Sequence, residues 1–257
     1  MENIERHVTG YIKSRFPRAS KFEVKKITND WSRKVSMSMG VFEDFKKRAG
    51  DPVGKKVLEL GFGNGLLLVP FAKAGAYAHG LEIDQMLVDI ATENRSLYDV
   101  NMDLRLYDGV TMPFEDDFFD YIYSTSVLEH VDDLVRVMSE ADRVLKPSGR
   151  FYISFPNRLW PKETHTGVWF LNYTPGPLVP IVLKLLGRST KEDWGLHFIT
   201  FWSLKRAMKK SGSQFKIIFE TDSQGLENLY SAYYIEPILT IGALKLALGL
   251  RGNYLNT

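Results

Sequence analysis

Three glycines at alternate positions, Gly61, Gly63 and Gly65, close the run Lys55–Gly65, KKVLELGFGNG. A residue without Cβ lets the backbone turn at positive φ and approach a ligand closely, and a turn between strand and helix presents N–H groups to it. Just before the turn, Glu59 interrupts the apolar residues Val57, Leu58 and Leu60. A carboxylate buried there must be satisfied, either by the N–H groups of the turn or by a ligand cation. The next apolar run ends in Glu82, followed by Ile83, about twenty residues after the glycines, and a carboxylate so placed can accept charge-assisted hydrogen bonds from ribose hydroxyls. Asp108-Gly109 and Ser124 close two further runs. His130, His165 and His197 are the candidate general bases, since imidazole titrates near the working pH. Each of them also suits a structural role.

These residues need elements to hold them. Val57–Leu60, Tyr77–Ile83, Met102–Tyr107, Phe119–Ser124 and Arg150–Phe155 are expected as strands. A helix from about Leu66 or Leu67 to Ala74 keeps Pro70 in its first turn. Asp84 is placed to cap a helix over Gln85–Asn94. In Asp132–Leu145, Leu134, Met138, Ala141 and Leu145 share one helical face, and Lys146-Pro147-Ser148-Gly149 stops that helix. Asp30 is placed to cap a leading helix from Trp31 to about Arg48. Strand and helix alternate, which predicts an α/β fold with a doubly wound, mostly parallel sheet.

Between Pro156 and His197 the alternation stops, and a long stretch rich in Pro, Trp and Leu predicts an inserted lid after the fifth strand. A helix over Thr200–Lys210 and a strand over Gln214–Thr221 follow. The expected organisation is a helical segment at 1–50 that packs on the sheet edge or folds over the cofactor site, an α/β core at 51–157, a lid at 158–197, and completion of the sheet with an apolar tail at 198–257.

Composition sets the outer bounds. The 257 residues are 44% hydrophobic and 25% charged with a net charge of +2, which gives no electrostatic footprint for nucleic acid. With no cysteine, disulfides, thiolate catalysis and cysteine-ligated metal sites are excluded, and no metal is expected. The polar start, MENIERHVTG, does not resemble a signal peptide, so a cytoplasmic protein is expected. Two apolar stretches, Leu178–Leu186 and Ile235–Leu250, are too short to span a bilayer, but each carries a lysine and is followed by an arginine. Peripheral membrane contact and burial in the core or in a dimer contact are both open for them.

The glycine spacing is G-x-G-x-G rather than the G-x-G-x-x-G of dinucleotide folds, which disfavours a nicotinamide-dependent oxidoreductase. Together with an acidic residue on the strand before it, the run resembles the first motif of the class I S-adenosylmethionine (SAM) methyltransferases. Further segments follow in order. Asp108-Gly109 resembles that family's Gly-Asp-Ala pattern, with Tyr107 in place of the glycine. MPFEDDFFD (112–120) resembles "LPFPDGSFD", VLEHV (127–131) is shared, and LKPSG (145–149) resembles "LKPGG". Phe62 stands where many members carry cysteine. The resemblance covers residues 55–157 and implies a seven-stranded, Rossmann-like sheet that binds SAM.

By that resemblance, Glu82 and Ile83 hold the ribose, Asp108 and Gly109 meet the adenine, and Glu59, Gly61, Gly63, Gly65 and the Ser124 carbonyl hold the methionine end. The segment around His197 resembles, more loosely, the "GTHDWxxFxxPxEL" stretch of quinone-biosynthesis O-methyltransferases. The implied function is methyl transfer to a small or lipid-like acceptor at oxygen, without nucleic acid as partner. The alternative is a catalytically silent SAM-binding protein of the same fold.

Overall fold

The computed structural model describes residues 2–15, 17, 19–32, 34–156, 163, 166–188, 199–213, 215–219 and 230–237. Its sheet is built on β1 (Lys56–Leu60), with β2 (Tyr77–Glu82) and β3 (Met102–Leu106) on one side and β4 (Phe119–Thr125) and β5 (Leu145–Pro156) on the other. With β6 (Phe215–Phe219) and β7 (Tyr230–Pro237), the order is β3-β2-β1-β4-β5-β7-β6. β1 to β5 pair in parallel, and β7 runs antiparallel between β5 and β6. β1 and β4 are neighbours although β2 and β3 lie between them in sequence, so the order reverses beside β1 and opens the crevice where such sheets bind ligands.

The strands are apolar on both faces because both faces are covered. Leu58, Leu60, Ile122 and Phe151 pack with α6 (Leu134–Val144) and α8 (Phe201–Ser211) in one core. Val57, Tyr123 and Tyr152 pack with α3 (Lys34–Ala49) and α4 (Val69–Lys73) in a second. A third cluster joins α1 (Glu2–Arg15) to α5 (Gln85–Leu97) through Val8, Tyr11, Ile12, Leu87 and Ile90, with Ile27 and Trp31 of α2 (Lys21–Ser32) against it. The Asp84 carboxylate accepts the Met86 N–H and caps α5 as expected.

Several expectations are corrected. The leading helix is two helices, and Asp30 lies inside α2. Ser20 is the cap: its Oγ accepts the Glu23 N–H at 3.2 Å, while Glu23 accepts the Ser20 N–H at 2.8 Å. That reciprocal pair is a capping box, written in the sequence as S-K-F-E. α4 is only five residues long and begins at Val69, with Pro70 in its first turn. β5 begins at Leu145 and takes in Lys146–Gly149, with a register irregularity against β4 between Phe119 and Tyr121. Extra residues on one strand are absorbed as a bulge, so the segment expected to separate helix from strand belongs to the sheet.

No helix lies between β3 and β4, so the expected alternation fails there. Two arginines hold that connection instead. Arg143 of α6 donates to the carbonyls of Met112 at 2.9 Å and Phe114 at 2.8 Å, and pairs with Glu140 and Asp116. Glu140 in turn accepts the Met112 N–H at 2.9 Å. From the other side, Arg105 of β3 donates to the Pro113 carbonyl at 3.0 Å and lies over the Phe114 ring at 4.5 Å.

Within the region expected as a lid, the described part holds two 3-10 turns, Leu171–Tyr173 and Gly176–Leu178, followed by α7 (Val179–Leu185). Leu171, Val179 and Leu183 form its small core.

Arg143 carries a prediction for stability. Replacing it with Met removes hydrogen bonds between charged groups and two carbonyls, and leaves the buried Glu140 with only the more distant Arg136 guanidinium at 3.9 Å. The variant should unfold about 1.5–3 kcal/mol more easily. Urea titration checks this, and an unchanged midpoint would show that the connection does not need the arginine.

Candidate cofactor-binding site

The parallel strands β1, β2 and β4 end at one edge, and their ends bring together the glycine turn, Glu82 and Ser124. The turn is compact because side chains are missing where neighbours press in. A Cβ on Gly61, at φ +73°, would stand 2.4 Å from Val127 Cγ2. One on Gly65, at φ +74°, would stand 2.9 Å from the Ala91 methyl of α5. Gly63 differs: at φ +57°, its nearest neighbour would be the Trp31 ring at 3.9 Å. Its backbone therefore faces a space bounded by α2. Asn94 of α5 donates to the Asn64 carbonyl at 2.8 Å and anchors the turn from below. α4 starts only at Val69, so ligand groups at this edge meet the N–H groups of the turn and not a helix terminus.

Glu82 is buried beside that turn. One carboxylate oxygen accepts the Gly63 N–H at 2.9 Å, and the other accepts the N–H groups of Ile83 at 2.8 Å and Asp84 at 3.3 Å. Burial raises its pKa, and the three backbone donors oppose that rise. Tyr11 of α1 stacks on Trp31 with ring centroids 5.7 Å apart. Its phenol is pushed up by burial first, then by the Asp84 and Glu82 carboxylates, which places the tyrosine beside the acidic end of β2. Burial also lifts Tyr107 to about 12, with Glu82 and Asp108 adding to the effect. Tyr11 and Trp31 were not singled out from the sequence as site residues. Trp31 was visible only as an apolar position in a helix.

Past β3, Asp108 is exposed, and its Oδ1 accepts the N–H groups of Val110 and Thr111 at 2.8 Å each. These donors hold its pKa below the usual carboxylate value. Gly109 takes φ +77°, and a Cβ there would stand 3.4 Å from Ile83. Ile83 is 64% exposed, with Val110 and Leu106 also open to solvent. An apolar ledge thus lies beside an acidic, solvent-facing group, which suits the flat face and the amino edge of a purine.

Glu59 and Ser124 lie further in. Glu59 is buried on the face that carries Val57, paired in register with Tyr123, whose phenol is pushed well up by burial and by this carboxylate. Ser124 is fully buried, and its Oγ has no hydrogen-bond partner among the described residues. Ser126, just after β4, takes φ +56°, a conformation that non-glycine residues seldom adopt and that often accompanies function. The sequence carried no sign of it.

His130 is exposed in the 3-10 turn Leu128–His130 that follows β4. His165 and His197 lie outside the described residues. No cluster of metal-ligating side chains occurs among the described residues.

The arrangement fits SAM. An open glycine backbone, a buried carboxylate beside it, an apolar ledge with an acidic group, and an orphaned serine hydroxyl lie around one sheet edge. Known proteins resemble the chain. Residues 58–153 match the family model described as a methyltransferase domain. A ubiquinone biosynthesis O-methyltransferase of Bartonella tribocorum is 31% identical over 105 residues, 41% of this chain and 42% of that protein. The chain thus matches less than half the length of this curated relative. Among solved structures, a SAM-dependent methyltransferase from Aquifex aeolicus superposes with a TM-score of 0.56 at 15% identity, covering 78% of this chain and 89% of the other. A geranyl diphosphate C-methyltransferase from Streptomyces coelicolor, solved with S-adenosyl-L-homocysteine, gives 0.56 at 14% identity over 84% and 79% of the two chains. These superpositions establish the shared fold. Residues 58–153 are the part of the chain that matches a methyltransferase domain.

Two outcomes follow from this geometry. Gly61→Ala should destabilise the protein by about 2–5 kcal/mol, combining left-handed strain with overpacking against Val127. Adding Val127→Ala should recover part of that loss, and a double-mutant cycle by urea unfolding measures the coupling. The second outcome concerns pH. A carboxyl whose folded pKa is raised binds protons more readily when folded, so stability falls as pH rises from the ordinary glutamate value to the raised one. Across that window the wild type should lose stability relative to Glu82→Gln, and parallel profiles would remove the assignment.

Proposed function

We propose that the whole chain transfers a methyl group from SAM to a small or lipid-like acceptor, at oxygen. The observation that carries this reading is the Glu82 carboxylate, buried within the glycine turn and 2.9 Å from the Gly63 amide. When bound, SAM supplies a methyl group already activated by its sulfonium. The protein's part is to hold both partners, exclude water and accept a proton.

In this reading Glu82 takes the ribose hydroxyls, with Ile83 alongside. Asp108 and the Gly109 N–H recognise the adenine. Gly61, Gly63, Gly65, Glu59 and the Ser124 carbonyl hold the methionine end. Trp31 and Tyr11 close the site from the side of α1 and α2, and limit the entry of water. A hydroxyl acceptor must lose its proton, and His130, His165 and His197 are the candidate acceptors of it. The relative's name supports oxygen as the methylated atom, and the match spans 105 residues, 41% of this chain. The exposed aromatic residues of 166–188 favour an apolar acceptor.

Calorimetry with SAM and with S-adenosylhomocysteine tests the cofactor half. Binding in the micromolar range is expected, roughly −8 kcal/mol, and Glu82→Ala should weaken it by about 1.5–3 kcal/mol. A folded protein that binds neither ligand would sink the proposal. With an acceptor in hand, alanine variants of the three histidines test the chemistry. At least one should lose about 10²–10⁴-fold in turnover while SAM affinity holds. Full binding without turnover on any quinol, phenol or lipid hydroxyl tried would favour the silent SAM-binding alternative.

A further inference from the structure

Residues 166–188, TGVWFLNYTPGPLVPIVLKLLGR, contain no carboxylate, and their only charged side chains are Lys184 and Arg188. The chain as a whole is nearly balanced, with 33 basic and 31 acidic residues, so a purely cationic stretch stands out locally. The segment buries Leu171, Val179 and Leu183 against one another. It also exposes a second apolar face. Leu185 is 82% exposed, Phe170 63% and Trp169 58%, with Ile181, Leu186 and Tyr173 exposed as well. Large apolar residues left in water together mark a docking surface. Lys184 lies on the exposed side, and the Arg188 guanidinium stacks 4.6 Å over the ring of Phe22, itself exposed at the start of α2.

We propose that this face docks reversibly on an anionic phospholipid surface. Aromatic rings and aliphatic side chains enter the interface while Lys184 and Arg188 reach the headgroups. Charge decides between this and a second copy of the chain. A two-fold contact sets a patch against itself, so it would oppose like charges, whereas anionic headgroups complement them. The contact is interfacial, since no helix among the described residues is long and apolar enough to cross a membrane.

The face is coupled to the cofactor edge. Residues 166–188 follow β5, whose end lies at the same sheet edge as the glycine turn. α2 runs from Phe22, beneath Arg188, to Trp31, beside Gly63. That separation is about 14 Å along the helix axis. Docking therefore brings lipid within a helix length of the candidate site. The proposal does not depend on methyl transfer, because membrane binding is read without cofactor.

Flotation of the full chain with vesicles of phosphatidylglycerol and phosphatidylcholine tests it, with pure phosphatidylcholine as control. Wild type should float with the anionic vesicles at low salt and leave them as salt rises. Leu185→Glu, at a position too exposed to disturb the fold, should weaken partitioning about tenfold or more. Lys184→Glu should weaken it about fivefold or more, on anionic vesicles only. The urea midpoint of each variant should match wild type. Wild type that stays in the dense fraction, or Leu185→Glu that floats equally well, overturns the proposal. So does a non-floating wild type that sediments as a dimer dissociated by Leu185→Glu, which would assign the face to a second copy.

Discussion

Clearance between the glycine turn and its neighbours is the constraint on which the carboxyl edge of the sheet depends. Gly61 lies under Val127 and Gly65 lies against Ala91, so the turn is clamped between the tail of β4 and the body of α5. The same logic extends one residue further. A Cβ on Gly80 of β2 would stand 2.5 Å from the Phe62 ring, so the phenylalanine needs a strand neighbour without a side chain. Phe62 and Gly80 are one packing unit. A bulky residue inside the turn is tolerated because the adjacent strand makes room for it.

That tight packing places a carboxylate where it would not otherwise stay. Glu82 is held in a nearly dry position by three backbone amides, one from the turn itself. Fixed donors around a buried charge hold a group in one orientation at some loss of stability. The N-terminal helices then build on this edge, with Tyr11 facing the acidic end of β2 and Trp31 facing Gly63. The recognition chemistry is therefore spread over residues far apart in sequence but held by one sheet edge.

How much of this was legible differs by element. The positions of β1, β2 and β4 were visible because short apolar runs between turn residues can be little else in an alternating chain. Glu82 was visible because an acidic residue closes an apolar run about twenty residues after the glycines. The division of the leading helix was not, since Trp31, Val35, Met39, Phe42 and Phe45 keep a continuous periodicity and no glycine or proline marks the break. The Ser20–Glu23 capping box was written in the sequence and was overlooked in favour of Asp30. Lys146–Gly149 looked like a stop, because proline and glycine do not reveal from composition alone that a strand bulges around them. Arg143 was the least legible. Its partners are carbonyls about thirty positions away, and no local pattern encodes a contact of that kind.

The arginine strap also bears on how the molecule opens and closes. Asp117 and Phe118 donate their amides to the last carbonyls of α6, those of Arg143 and Val144, while the Met112 amide is held by Glu140. Residues 112–118 therefore borrow their protection from a helix that follows them in the chain. In hydrogen exchange they should open together with α6, although they form a loop on the surface. A connection without secondary structure of its own is thus tied, amide by amide, to a helix on the far side of β4 in the sequence.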